Sequence, residues 1–139
     1  MTNTPEDLIE KAASVVNGRR LGSRPVGDVG AALVTDNGNV YLGVCLDMPS
    51  GTGFCAEASA IAAMVTAGEA RIDRIVAVWK DEQGELYVVA PCGRCREFIR
   101  QTDAGNLDTE VILGPDEVVT LRDLLPHVKR YTPARRQEG

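Results

Sequence analysis

Pro91-Cys92-Gly93-Arg94-Cys95-Arg96, taken together with Cys55-Ala56-Glu57 upstream, decides how this chain is read. Cysteines at i and i+3 on the first turn of a helix are surface neighbours, so Cys92 and Cys95 form the two jaws of a metal clamp. Cys55 adds a third thiolate. Three protein ligands leave the fourth tetrahedral position of Zn²⁺ open, which marks a catalytic rather than a structural site. Glu57 brings a carboxylate close to that opening. Both stretches suit helix amino termini, where partial positive charge lowers thiol pKa and favours thiolates. Cys55 and Glu57 stand only two apart and would diverge on a helix flank, but both reach an ion lying beyond a helix's first turn.

The rest of the composition narrows the function class. At 139 residues the chain suits one compact domain, residues 1–139, and its 44% hydrophobic content can fill a core. A net charge of -5 argues against nucleic acid as a partner, since binding to phosphate backbones draws on clustered Lys and Arg. The first ten residues have neither the basic region nor the apolar run of a secretory signal, and no apolar stretch approaches the roughly 20 residues needed to span a bilayer. The expectation is a cytoplasmic protein without membrane contact, in which four cysteines point to metal or catalysis before disulfides.

In chain order, Thr4 suits the cap of a first helix with Pro5 at its first position, Leu8, Ile9, Ala12, Val15 and Val16 as its apolar stripe, and Gly18 as its stop. A loop through Gly22, Pro25 and Gly27 leads to a strand over 29–35, and the turn Asp36-Asn37-Gly38-Asn39 returns into a second strand over 40–46, a hairpin. From Cys55 a helix runs to Gly68, apolar on nearly every side, which predicts burial all round by the fold or by an oligomer. Ile75–Trp79 reads as a buried strand and Leu86–Val89 as its return. A helix over 93–102, a strand over 110–113 and a short edge strand at Val118-Val119 follow, then a last helix opened by a capping box at Thr120-Leu121-Arg122-Asp123. Strands alternating with helices after a hairpin imply an α/β mixed sheet with helices on both faces.

Cys55-Ala56-Glu57 followed by Pro91-Cys92-Gly93-Arg94-Cys95-Arg96 resembles the zinc-dependent cytidine deaminase superfamily. The likeness extends to Val29–Leu33, Tyr41–Val44 and Leu124-Leu125-Pro126. Cys-Gly-Arg-Cys-Arg, with no Arg after Glu57, is most similar to the blasticidin S deaminase branch. The resemblance implies a three-layer α-β-α fold with a five-stranded mixed sheet, a homotetramer, Zn²⁺ as cofactor, and a small-molecule cytosine nucleoside as substrate. It also implies hydrolytic deamination, with Glu57 taking a proton from water, giving it to ring N3 and later protonating the departing ammonia.

The chain departs from that pattern at informative places. The usual Asn-x-Glu that holds ribose hydroxyls is replaced by Cys45-Leu46-Asp47, an aromatic near the base by Gly27, and the Arg after the glutamate by Ala58. Arg94 and Arg96 are the candidates for offsetting thiolate charge, and backbone groups around Ala56 for holding the cytosine ring. Bland readings compete. Cys45 could join the other three in a structural Cys₄ zinc module with a binding or scaffolding role, but a ten-residue gap to Cys55 is not a zinc knuckle, and a small buried side chain in a strand is the simpler account. Cys45 and Asp47, standing where the sugar-holding pair is usual, are also candidates for binding the substrate, with a turn residue as the alternative for Asp47. Phe54 and Tyr131 line the site or pack elsewhere. His127 is an exposed residue near the tail, and Lys129, Arg130, Arg135 and Arg136 are a solvated tail.

Overall fold

A computed structural model describes residues 3–128 and 134–136. Thr4 opens α1 (Pro5–Val15) with a reciprocal cap in which Asp7 bonds back to the Thr4 backbone. The helix stops at Val16, short of Gly18, and its Leu8, Ile9 and Ala12 are buried. The strands are β1 (Arg19–Leu21), β2 (Arg24–Thr35), β3 (Val40–Leu46), β4 (Ile72–Lys80), β5 (Leu86–Val89), β6 (Glu110–Gly114) and β7 (Glu117–Thr120). Three further helices are α2 (Ala56–Thr66), α3 (Gly93–Thr102) and the short α4 (Leu121–Leu124).

Among the described residues, seven strands join one mixed sheet in which only the β4–β6 pairing is parallel. The side chains of β2 and β4 alternate between two cores. Ala31, Leu33, Ile75 and Ala77 pack towards α2 and α3, whereas Ala32, Val34, Val76 and Val78 pack towards α1. Helices therefore cover both faces, as the three-layer expectation requires.

The sheet differs from that expectation in having seven strands, not five. β1 is three exposed residues without apolar alternation, so only its pairing with β2 reveals it. β2 begins at Arg24 rather than 29 and passes through Pro25 and Gly27. A bulge makes this possible: Val26 pairs Leu46 and Gly30 pairs Val44, so four steps of β2 are spanned by two of β3. Gly27 sits there at φ 78°, and a Cβ on it would stand 2.3 Å from the Asn17 carbonyl oxygen. No aromatic side chain fits at that position.

Two helix expectations also change. Thr120 precedes α4, but its side chain makes no capping bond. α2 is not buried all round within one chain: Ala56, Glu57, Ala58, Ala60, Ile61 and Met64 are buried, while Ala62, Ala63 and Val65 are exposed because the sheet covers one side only. No helix among the described residues is long and apolar enough to cross a membrane.

Candidate active site

Cys55 and Cys92 are the N-cap residues of α2 and α3, both with extended backbones, and Cys95 lies within the first turn of α3. Two helix starts thus converge with their positive ends on one point. The three sulfurs lie within 4.8 Å of one another, and Cys55 Sγ and Cys92 Sγ are 3.9 Å apart. Cys95 is buried, Cys55 half-buried and Cys92 exposed.

Burial drives the thiol of Cys95 far above its ordinary pKa, helped by the charge of Glu57 and by the other thiols. Burial likewise raises Cys55, assisted by Cys92 and Glu57 against a bond with Cys95. At Cys92 burial also pushes upward, but bonds from the backbone of Cys95, the other thiols and the backbone of Arg94 outweigh it and hold this thiol low. Three sulfurs crowded at two helix starts suit a soft-tolerant divalent cation, and zinc fits that donor set.

Glu57 is 6% exposed, and burial raises its pKa, so its carboxyl keeps a proton to higher pH than an ordinary glutamate. It faces a cavity of about 800 Å³ that also reaches Cys55 and Cys92. Ala56, buried, lines the same cavity, as do Phe54 and Arg94. Arg94 donates to the Gly53 carbonyl at 3.3 Å. Arg96 does not line this cavity. Its guanidinium bonds the carbonyls of Pro91 (3.0 Å) and Leu124 (3.2 Å), bracing the start of α3 against α4.

Cys45 stands apart from the thiol trio and groups instead with Asp28 and Asp47. It is buried, as a small strand residue should be, yet it is also bonded: Cys45 Sγ donates to Asp28 Oδ1 at 3.1 Å and accepts the Val29 N–H at 3.4 Å. Asp47 is exposed on the cavity wall. The described geometry therefore does not gather four cysteines around one point. His127 is exposed, as are Arg135 and Arg136, whereas Lys129, Arg130 and Tyr131 lie outside the described residues.

Sequence reasoning missed Asp28, Trp79 and Arg24, all of which line the cavity. Trp79 stands opposite Val29 in the β2–β4 register, donates Nε1 to Asp28 at 3.2 Å, and stacks on Tyr87 with ring centroids 5.3 Å apart. Besides Phe54, a second aromatic therefore reaches the cavity from β4, and position 27 supplies none.

The fold, the three clustered thiols and the buried Glu57 agree with a zinc-binding family, and the sequence comparisons show which one. The chain belongs to the family described as the cytidine and deoxycytidylate deaminase zinc-binding region, whose sequence model matches residues 2–109. Blasticidin-S deaminase of Bacillus cereus is 42% identical over 76 residues, 51% of this chain and 54% of that protein, so this match spans about half of the relative's length. Cytidine deaminase of Mycobacterium tuberculosis is 33% identical over 99 residues, 70% of this chain and 69% of the relative. The crystal structure of cytidine deaminase from Mycobacterium leprae superposes with a TM-score of 0.71 at 26% identity, covering 91% of this chain and 100% of that one. The Mycobacterium tuberculosis structure gives 0.71 at 29% identity, covering 90% and 96%.

Proposed function

We propose that residues 1–139 form one deaminase domain that hydrolyses the cytosine ring of a free nucleoside, or of a nucleoside altered at its sugar such as blasticidin S, to uracil and ammonia. The observation that supports this best is the single cavity joining Glu57 and two of the clustered thiols to a polar outer wall. A pocket of this size suits a small molecule rather than a strand of nucleic acid.

Cys55, Cys92 and Cys95 would hold the zinc, which supplies Lewis acidity that makes water nucleophilic near neutral pH. Glu57 is the proton carrier. Its carboxyl takes a proton from the attacking water, gives it to ring N3, and supplies one to the amino nitrogen as the C4–N bond breaks. One water is consumed, a C4–O bond forms and ammonia leaves. Burial suits Glu57 to this exchange because it brings the acid and base forms closer in energy. Backbone groups around Ala56 would hold the ring. Arg94, on the cavity wall, is better placed than Arg96 to offset thiolate charge.

The exposed Ala62, Ala63 and Val65 on α2 support assembly of a homotetramer, a second copy covering the side that the sheet leaves open. Light scattering giving a monomer at micromolar concentration would refute it. A cytoplasmic location fits the same reading.

Ultraviolet assay against cytidine, deoxycytidine, cytosine and blasticidin S tests the activity, and Glu57→Gln tests the proton carrier. The sugar-altered nucleoside should be processed at least as well as cytidine. Glu57→Gln should lose on the order of 10²- to 10⁴-fold in kcat while remaining folded. Absence of turnover on all four compounds would overturn the reading.

A further inference from the structure

The dipeptide Asn-Gly occurs twice in the chain, as Asn17-Gly18 between α1 and β1 and as Asn37-Gly38 between β2 and β3, and all four residues are exposed. An asparagine followed by glycine is open to intramolecular attack, because no side chain shields the glycine nitrogen from the asparagine amide carbon. Sequence and exposure make the two pairs equals. Their hydrogen bonds do not.

At the β2–β3 turn both reacting groups are held. The Asn37 side-chain amide donates to Glu69 Oε1 at 3.0 Å, and the Gly38 N–H donates to the Thr35 carbonyl at 2.9 Å. Glu69 is itself tied down, accepting from Tyr41 Oη at 2.6 Å and from Asn39 Nδ2 at 3.0 Å. The Tyr41 hydroxyl is foremost among the donors that lower its carboxyl to about 2, so Asn37 bonds a carboxylate, and bonds to ionised acceptors are the strong ones. At the α1–β1 link the main chain is held instead: the Asn17 N–H donates to the Gly27 carbonyl at 2.7 Å, and the Asn17 carbonyl accepts from Arg19 at 3.2 Å. Among the described residues neither the Asn17 side-chain amide nor the Gly18 N–H has a hydrogen-bond partner.

We propose that Asn17 is a site of spontaneous covalent modification, closing on the Gly18 nitrogen to a succinimide that water opens to aspartate and isoaspartate, while Glu69 guards Asn37 against the same reaction. The Gly18 nitrogen forms a bond to the Asn17 amide carbon, the bond from that carbon to Nδ2 breaks, and the backbone proton leaves with Nδ2 as ammonia. One water then adds across either ring carbonyl. The isoaspartyl product has an extra methylene in its main chain and a carboxylate where the amide stood. That change falls where Asn17 meets the bulged part of β2, since a Cβ on Gly27 would stand 2.3 Å from the Asn17 carbonyl oxygen. Neither step draws on the zinc site or on the deaminase reaction.

The test incubates the folded full-length protein in warm, mildly alkaline buffer and follows each asparagine by peptide mapping, with mass spectrometry for the amide-to-acid change and chromatography to separate the isoaspartyl form. A chemically denatured sample sets the unguarded rate, and there the two Asn-Gly pairs should convert alike. In the folded protein Asn17 should convert about tenfold faster than Asn37 or more, as the loss of one charge-assisted hydrogen bond predicts. Glu69→Ala should raise the rate at Asn37 about tenfold and leave Asn17 unchanged. Asn39 shares the Glu69 contact but precedes the branched Val40, so it should stay intact in that variant, which separates release of the amide from general unfolding. Tyr41→Phe removes one of the bonds that hold Glu69 and decides the matter if Glu69→Ala fails to fold, with an expected rise at Asn37 of about threefold. Equal rates at Asn17 and Asn37 in the folded wild type would overturn the proposal, as would an Asn17 that stays intact while the denatured chain converts. An Asn37 rate unchanged in the folded variants would overturn the guarding role of Glu69.

Discussion

Gly43 on β3 approaches Ala60 on α2 so closely that a Cβ on the glycine would stand 2.4 Å from the Ala60 nitrogen and 2.8 Å from the Ala56 carbonyl oxygen. Ser59 fastens the same contact by donating its hydroxyl to the Val44 carbonyl at 2.8 Å. The helix start that carries Cys55 and Glu57 is therefore seated directly on β3. Gly43→Ala should push α2 outward and cost about 1–3 kcal/mol, the usual range for overpacking. Urea unfolding would show it as a lower midpoint, and an unchanged midpoint would mean that α2 shifts without cost.

Asn106 is a fully buried hub beneath α3. Its amide donates to the carbonyls of Ala70 and Ile99 at 3.0 Å each, and its oxygen accepts from the Ile72 N–H at 2.9 Å and from Arg71 at 3.2 Å. Every bonding capacity of the side chain is used. Asn106→Ala would strand the buried Ile72 N–H and two carbonyls, and should destabilise by on the order of 3 kcal/mol. Denaturant titration checks this, and a loss below about 1 kcal/mol would mean that water or a rearrangement replaces those bonds.

The clustering of Cys55, Cys92 and Cys95 was legible in the sequence because residues at helix starts converge when they stand at short, fixed spacings. The hairpin and the buried strand at 75–79 were legible for a similarly local reason, their apolar runs and turn residues. Asp28 was not. It meets Trp79 only through the β2–β4 register and Cys45 only through a bulge whose existence depends on pairing with β3. The same dependence hid β1, whose Arg19-Arg20-Leu21 has no strand pattern of its own. The exposed side of α2 is the converse case: its apolar composition predicts burial all round, whereas within one chain Ala62, Ala63 and Val65 stay exposed.

Glu69, just beyond α2, clips the β2–β3 turn. It accepts from Tyr41 Oη at 2.6 Å and from the side-chain amides of Asn37 and Asn39 at 3.0 Å each. The Tyr41 hydroxyl above all, with the hydroxyl of Thr35 and the two amides, lowers the Glu69 carboxyl to about 2. A carboxyl held below its unfolded value of about 4.3 adds stability that is fully present above that pH and is lost as pH falls through the folded value. Glu69→Gln should therefore melt at a lower temperature than the wild type at pH 7, and the gap should close between about pH 4.5 and pH 2. A gap independent of pH would assign the effect to shape rather than charge.

The cysteines make the sharpest prediction about the metal. Cys55, Cys92 and Cys95 crowd together, whereas the Cys45 sulfur is engaged by Asp28 and the Val29 N–H. A serine at any of the first three positions removes a thiolate from a three-ligand site and should cost the protein its zinc on dialysis against a weak chelator. Cys45→Ser keeps a donor towards Asp28 and leaves the trio intact, so it should retain one zinc per chain by elemental analysis. Because thiols shed protons when they bind zinc, metal uptake by the wild type and by Cys45→Ser should weaken alike as pH falls. A Cys45→Ser protein that is folded by circular dichroism yet free of zinc would show a four-cysteine site, and would favour the structural over the catalytic role for the metal.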